Sequence, residues 1–225
     1  MTKEQIRIFL NGQLPFFKKL PQPEAEAVLS SASGAFYRRG SMLLSREKEC
    51  NGLVLVKSGQ LRAYFESEDG KEITLYRLLS GDICILSASC VLRNITFEVT
   101  LEAEKDSEVV LIPASVWGKL SEQNPEAGLF TQALINERFS EVMWVMEQIV
   151  SKNMGQRLAA FLLEQSALDD TRILSMTHET IAKNLGTARE VISRMLKYFE
   201  NDRIVSLSRG KIQLEDLNRL KEMSL

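Results

Sequence analysis

Four polar residues on one predicted helix have side chains that suit the reading of DNA bases: Arg189, Glu190, Ser193 and Arg194. Arginine can donate two hydrogen bonds to O6 and N7 of guanine, and glutamate can accept from the N4 amine of cytosine. Serine can also reach a phosphate. The alternative is a solvated helix face on which Glu190 only stabilises the helix start, and these residues alone leave both interpretations open.

The segment that must position these residues is THETIAKNLGTAREVISRMLKYFE, residues 177–200. We predict a first helix that starts at Thr177, whose hydroxyl can cap it, and ends at Gly186, where glycine tolerates a left-handed backbone. We predict that Thr187 opens the second helix, with Glu190 at capping-box spacing. The apolar residues recur at helical spacing and should face a core: Ile181, Ala182, Leu185, Val191, Ile192, Met195, Leu196 and Phe199. Two short helices joined by a glycine turn are typical of a helix-turn-helix, which presents its second helix to the DNA major groove.

A predicted β-hairpin follows the two helices. IVSL (204–207) and KIQL (211–214) alternate apolar and polar residues around Ser208-Arg209-Gly210. A hairpin in this place is a wing, and Arg209 and Lys211 at its tip suit phosphate binding. The alternative is an exposed basic turn. The other candidates for contacts to the DNA backbone are Thr177, Thr187 and Lys197.

The net charge of −2 is unusual for a DNA-binding protein, but the charges are unevenly distributed. Residues 183–211 hold seven basic and three acidic side chains. A local basic patch is the expected footprint of phosphate binding.

The rest of the chain changes character twice. Residues 2–33 read as helical, with breaks at Pro15, Pro21 and Pro23. Residues 36–113 show short β-type runs separated by glycines, with Asp69-Gly70 as the clearest hairpin turn, which suits an all-β barrel or roll.

A long helix is predicted over residues 127–152. Its apolar residues recur at 4-3-4-3 spacing and are typical of a coiled-coil dimer seam: Ile135, Phe139, Val142, Met146 and Ile149. A buried helix would show a similar recurrence. Trp144 lies opposite the seam, so we expect this helix to bury a second face against the β-roll. Asn153-Met154-Gly155 is the predicted hinge.

THETIA, LGTAREVISRMLK and the RG-x-I wing resemble the DNA-binding domain of the Crp/Fnr superfamily of transcription regulators. Upstream, GLVLVKSGQLRAYFESEDGKEITLYRLLSGD (52–82) resembles the family's β-roll of the cyclic-nucleotide-binding type, and RLAAFLL (157–163) resembles its first helix after the hinge. The resemblance implies an α+β chain. Its parts are an N-terminal double-stranded β-helix (a jelly-roll-like β-roll) with flanking helices, a long dimerisation helix and a C-terminal winged helix-turn-helix. The expected domains are an effector-binding domain (1–126), the dimerisation helix (127–152) and a DNA-binding domain (153–225).

The resemblance also implies roles for particular residues. The family's base-reading residues carry over to Arg189, Glu190 and Arg194, with Ser193 as an additional candidate. They imply a homodimer that reads a near-palindromic promoter site in double-stranded DNA, with a TGA core in each half-site, and that acts together with RNA polymerase.

The expected cyclic-nucleotide site is altered in this chain. Family members that bind cyclic AMP carry a glutamate and an arginine-containing pair in this region. Ile85-Leu86 stands where Gly-Glu is expected, and Phe97-Glu98 stands near the phosphate-binding pair. An aromatic ring beside a carboxylate cannot replace an arginine fork, so we predict an unidentified small-molecule effector other than a cyclic nucleotide. Arg93 is the one nearby basic residue that could restore an anion site.

The remaining candidates for effector binding give an apolar lining: Cys84, Ser87, Cys90, Phe97, Val142, Met143 and Met146. The alternative is that they only fill a core. Thiol sensing through Cys84 or Cys90 is a second hypothesis, against which stands a buried, inert cysteine. We expect no metal site, because the only histidine, His178, lies in the DNA-binding motif and the first cysteine is Cys50.

Two other classes of function remain as alternatives. One is a β-roll module that regulates a protein partner, and the other is an enzyme, although the chain carries no phosphate loop, zinc-binding spacing or nucleophile elbow. The sequence has no apolar run long enough for a membrane span, no signal-peptide core and only three cysteines. We therefore expect a cytoplasmic protein without a membrane partner.

Overall fold

A computed structural model describes residues 1–44, 52–85 and 99–225. The chain divides into two compact units. The first contains Met1–Phe65 and Leu75–Val142, and the second contains Glu66–Thr74 and Met143–Leu225. No helix among the described residues is long and apolar enough to cross a membrane.

The predicted β-roll is present as two four-stranded sheets. The strand orders are β1-β8-β3-β6 and β2-β7-β4-β5, and every pairing that the described residues show in them is antiparallel. Buried Val56, Ala63, Leu101 and Val109 from the two sheets share one apolar core. The strands are β1 (Ser33–Tyr37), β2 (Met42–Leu44), β3 (Leu53–Ser58), β4 (Leu61–Glu66), β5 (Glu72–Leu78), β6 (Ile83–Cys84), β7 (Thr100–Ala103) and β8 (Ser107–Ile112).

Tight turns at glycines connect these strands. Gly70 lies between β4 and β5 with φ +75°, which confirms the predicted Asp69-Gly70 turn. Gly59 follows β3 with φ +94°. A Cβ atom at Gly59 would overlap the Asp106 carbonyl oxygen and the Ser107 side chain, so this turn requires glycine for both its backbone angle and its space.

The first 31 residues form two helices and a short turn between them, and two of the three predicted helix breaks are present. Helix α1 (Lys3–Gln13) ends before Pro15, a short 3-10 turn covers Phe17–Lys19, and α2 (Gln22–Ser31) follows Pro21. Pro23, the third predicted break, does not interrupt the helix. It occupies the first turn of α2, where the missing N–H has no helical acceptor to lose.

Helices α1 to α4 enclose a second apolar core of the first unit together with β3, β6 and β8. Trp117, on α3 (Ala114–Gln123), is fully buried there. Its indole Nε1 donates to Thr131 Oγ1 at 3.1 Å, and its ring lies near Phe16 and Phe130.

Helix α4 spans Pro125–Ser151 and buries a face that the sequence pattern did not single out. Its four buried side chains, Ala127, Thr131, Leu134 and Arg138, recur at 4-3-4 spacing. Trp144, from which we expected a second buried face of this helix, does not belong to that face, because it is 56% exposed. Trp144 lies six residues after Arg138, which is about 120° around the helix from the buried line.

The predicted seam residues of α4 divide into two groups. Ile135 and Val142 are half-buried against cores of their own unit. Phe139, Met146 and Ile149 are exposed to 66%, 55% and 39%. The exposed group leaves a large apolar surface available on α4.

The second unit has its own apolar core, in which Leu162, Ile181, Leu196 and Phe199 are buried. Asn153, placed in the predicted hinge, caps α5 through a capping box with Gln156. The remaining elements are α5 (Met154–Asp169), β9 (Ile173–Leu174), α6 (His178–Leu185), α7 (Arg189–Asn201), β10 (Val205–Ser208), β11 (Lys211–Leu214) and α8 (Leu217–Ser224).

The turn at Gly59 yields a stability prediction. Replacing Gly59 by alanine should lower the free energy of unfolding by about 2 kcal/mol or more, because a strained backbone and a steric overlap combine. Gly40→Ala is the matched control. Gly40 has φ +80°, but a Cβ there would meet no atom of the described residues within 4 Å, so it should show only the smaller backbone effect. Thermal melting of both variants measures the difference, and equal losses would contradict the steric argument.

Candidate nucleic-acid interface

The first helix of the DNA-binding motif forms as the sequence predicts. Thr177 precedes α6 in an extended conformation, and its Oγ1 accepts a hydrogen bond from the amide of Thr180 at 3.0 Å. Gly186 ends the helix with φ +65°. The amide of Thr187 donates to the carbonyl of Ala182 at 3.0 Å, which closes the helix end.

The second helix begins later than predicted. Helix α7 starts at Arg189, and Ala188 is its N-cap residue without a side-chain hydrogen bond. The prediction that Thr187 caps this helix is wrong, because Ala188, one residue later, is the N-cap, and its side chain has no oxygen that could accept a hydrogen bond. Glu190 therefore lies in the first turn of α7 outside any capping box, where its charge still favours the helix dipole.

The polar face of α7 is open for contacts. Arg189, Glu190 and Arg194 are exposed. Across the part of the chain that the structure describes, their side chains make no hydrogen bond or ion pair. The opposite face carries the predicted core residues, with Ile192, Leu196 and Phe199 buried and Val191 and Met195 half-buried. Three of the four predicted base-reading side chains are therefore free to meet a base edge.

Ser193, the fourth candidate, differs from the other three. It is half-buried, and its Oγ lies 2.8 Å from Nδ1 of His178, the first residue of α6. The sequence offered no signal for this bond, because the two residues lie fifteen positions apart on different helices.

The predicted wing is present. Strands β10 and β11 pair antiparallel from Val205↔Leu214 to Ser208↔Lys211, which leaves Arg209 and Gly210 as the two-residue turn. Gly210 has φ +73°, a left-handed backbone that glycine adopts without strain. A third strand, β9, pairs with β11 and was not predicted. It holds the wing against the core through buried Leu174.

A cleft of about 650 Å³ lies between the wing and the start of the two motif helices. Thr177 and His178 line it from α6, Arg189 from α7, and Arg209 and Lys211 from the wing. Three cationic side chains therefore face one concave surface, which suits a phosphate group of a nucleic-acid backbone.

Two other lysines of the basic segment have acidic partners. Lys197 Nζ lies 2.6 Å from Oε2 of Glu200, and Lys183 Nζ lies 3.0 Å from Oε1 of Glu72. The hydrogen bond from Lys197, followed by one from the amide of Leu207, lowers the pKa of the Glu200 carboxyl. The basic patch is therefore narrower than the count of charges in the sequence indicated.

Only some of the predicted effector-binding residues lie among the described residues. Ser87, Cys90 and Phe97, together with Arg93, lie outside the described residues. Cys84 is fully buried, and its Sγ lies 3.6 Å from the hydroxyl of Tyr76. Val142 is half-buried, whereas Met143 and Met146 are 44% and 55% exposed.

The structure adds a buried polar cluster that the sequence did not reveal. The Arg138 guanidinium lies 5.0 Å from the centre of the Tyr76 ring and pairs with Glu141 at 2.5 Å. Its Nε is buried and has no hydrogen-bond partner among the described residues. Burial, followed by the neighbouring Cys84, raises the pKa of the Tyr76 phenol well above its usual value. Burial also raises the pKa of Glu141, although Arg138 opposes this shift. The only sequence feature that could have indicated burial of Arg138 is its 4-3-4 spacing with Ala127, Thr131 and Leu134.

The helix pair, its wing and the basic cleft define a winged helix-turn-helix DNA-binding domain. A family model described as a Crp-like helix-turn-helix domain matches residues 156–223, and one described as a cyclic nucleotide-binding domain matches residues 35–124. A solved structure of a Crp/Fnr-family regulator from Eubacterium rectale has a TM-score of 0.91 and 43% sequence identity, and the match covers 95% of this chain and 99% of that one. The chain therefore belongs to the Crp/Fnr family of DNA-binding transcription regulators.

Two curated relatives are also transcription regulators. The fumarate and nitrate reduction regulatory protein of Vibrio cholerae is 29% identical over 198 residues, which are 83% of this chain and 76% of that protein. The transcriptional regulatory protein btr of Bordetella pertussis is 26% identical over 193 residues, which are 82% and 78% of the two chains.

The two threonines of the motif provide a test of its local structure. Thr177→Ala should lower the free energy of unfolding of the DNA-binding domain by about 1 kcal/mol, because it removes the cap of α6. Thr187→Ala should change it by less than about 0.5 kcal/mol, because the side chain caps nothing. Chemical denaturation of both variants gives the two values, and a larger loss at Thr187 would restore the capping-box interpretation.

Proposed function

We propose that this regulator is a homodimer that reads a near-palindromic promoter site through α7 and responds to a small effector other than a cyclic nucleotide. The observation that carries this proposal is the free polar face of Arg189, Glu190 and Arg194 next to the basic cleft. Promoter binding of this kind places the protein in the cytoplasm and brings it into contact with RNA polymerase.

Base reading is assigned to residues near the start of α7. The N-terminal residues of a recognition helix are those that reach base edges in the major groove. Arg189 and Arg194 can each bind a guanine edge, Glu190 can accept from cytosine, and Ser193 adds a hydroxyl. A half-site of TGA type contains one G·C pair, so its guanine can bind one of the two arginines and its cytosine, on the complementary strand, can donate to Glu190.

Phosphate contacts are assigned to the rim of this surface: Thr177, Thr187, Lys197, Arg209 and Lys211. Arg209 and Lys211 line the cleft directly, together with Thr177. Lys197 is exposed and its ion pair with Glu200 also lies on the surface, where such pairs contribute little and exchange readily for a phosphate.

Dimerisation is assigned to the exposed apolar face of α4. Phe139, Met146 and Ile149 lie on one side of the helix at seven- and three-residue spacing. A second copy of the same helix would cover them as in a coiled coil, with Ile135 and Val142 at its edge. A dimer would also place two α7 helices for successive major grooves, about 34 Å apart.

The effector site is assigned to the first unit, around Cys84 and the inward face of α4. The buried Nε of Arg138 supports this assignment, because it is a donor without a partner among the described residues. A small molecule with an acceptor oxygen would satisfy it. Cys84 is a poor redox sensor, because its thiol is fully buried.

Arg194 provides the test of base reading. Arg194→Ala should weaken binding to the cognate duplex by about 1–3 kcal/mol and relax selection at one base pair of each half-site. Lys221→Ala, at an exposed position of α8, is the control and should change neither quantity. Titrations against duplexes that differ at single base pairs measure both effects. A uniform loss on all duplexes would contradict base reading by Arg194.

Phe139 provides the test of the dimer. Phe139→Asp should convert the protein to a monomer and abolish tight operator binding, because two carboxylates would meet in the apolar interface. Ile8→Asp places the same change at a residue of α1 that is 65% exposed and should leave the dimer intact. Sedimentation measures the mass of each variant. If the Phe139→Asp protein remains dimeric, the assignment of the dimer interface to this face of α4 is wrong.

A further inference from the structure

The hydrogen bond between His178 and Ser193 joins the two helices of the DNA-binding motif at the surface that meets DNA. Nδ1 of His178 lies 2.8 Å from Oγ of Ser193. Apolar contacts already hold α6 and α7 together, since Ile181, Ala182 and Leu196 are buried in one core. The hydrogen bond between His178 and Ser193 is therefore not required to hold the two helices together.

The bond limits what the Ser193 hydroxyl can offer to a base. A serine hydroxyl has one hydrogen to donate and two lone pairs that accept. When Nδ1 carries a proton, it donates to Oγ, and the serine hydrogen remains available for another acceptor. When Nδ1 carries a lone pair, Ser193 donates its hydrogen to the imidazole, and only its lone pairs face the solvent.

We propose that His178 is a positioning residue that sets the hydrogen-bonding sense of Ser193, so that the base preferred opposite Ser193 changes with the protonation of His178. With protonated His178, Ser193 donates and favours an acceptor: O4 of thymine, O6 and N7 of guanine or N7 of adenine. With neutral His178 bearing its proton on Nε2, Ser193 accepts and favours the amines of cytosine or adenine. Adenine suits both forms, so cytosine against thymine or guanine is the comparison that distinguishes them. This proposal rests on the base-reading role of Ser193 proposed above.

Charged groups surround His178 in the cleft. They are Glu179 on α6, Arg189 on α7, and Arg209 and Lys211 on the wing. Histidine is the side chain whose charge ordinarily changes between about pH 5 and 8, which sets the two pH values of the experiment.

The experiment uses the full-length protein and a duplex selected from a random library by the wild type. Four duplexes with each base pair at one half-site position, taken position by position, are titrated at about pH 6 and about pH 8. At one position per half-site, we expect the ratio of affinities for thymine or guanine against cytosine to fall roughly tenfold between the two conditions, as one hydrogen bond implies.

Three variants separate this role from a merely structural one. His178→Phe keeps an aromatic ring but removes the ring nitrogens, so the pH-dependent change at that position should disappear. His178→Gln keeps a polar partner that does not titrate, so a base preference should remain and be the same at both pH values. Lys197→Ala is the control, because this exposed backbone-contact candidate lies outside the cleft that holds His178. It should weaken all duplexes equally and retain the pH-dependent change of the wild type.

The outcomes distinguish the two proposals. If Ser193→Ala and Arg194→Ala relax base selection but wild type and His178→Phe give the same preferences at both pH values, the role of His178 is overturned and the proposed function stands. If neither Ser193→Ala nor Arg194→Ala alters selection at any position, the base-reading assignment itself fails. Thermal melting of His178→Phe and His178→Gln confirms that each is folded at both pH values.

Discussion

The turn at Gly186 is the constraint on which the DNA-binding surface depends. Its left-handed backbone ends α6, binds the Thr187 amide to Ala182 and delays the start of α7 to Arg189. A side chain at Gly186 would be strained and would overlap that of Ile73. Because this turn sets the angle between the helices, it decides which side of α7 joins the core and which side remains open.

The positive charge of the DNA-binding surface depends less on the number of basic residues than on which of them have carboxylate partners. Lys183 and Lys197 have carboxylate partners, whereas Arg189 and Arg194 have no side-chain partner among the described residues. Free arginines need not break an ion pair before they bind a base or a phosphate. A chain with a net charge of −2 can therefore present a local cationic surface.

The long helix α4 combines two different surfaces. Its inward face places Arg138 beside Tyr76, whose hydroxyl contacts Cys84, and burial of this cation is balanced by Glu141. Its outward face exposes Phe139 and other apolar side chains. A change on one face of a stiff helix can therefore influence the other, which is the route by which the proposed effector would act on the proposed dimer.

The amino-acid sequence determined those features that depend on local chemistry. The cap at Thr177, the glycine turns and the helical and alternating periodicities each act over a few residues, so α6, the wing and the β-roll strands could be predicted from their own segments. The polar face of α7 followed from the same periodicity. These predictions were correct because each feature needs only its neighbours in the chain.

Only the tertiary structure decided the features that depend on residues distant in sequence. Packing turned Arg138 inward while it left Trp144 exposed. The bond between His178 and Ser193 joins two helices. None of these could be read from the sequence, because the free energy that decides them comes from contacts which exist only after the elements have packed together.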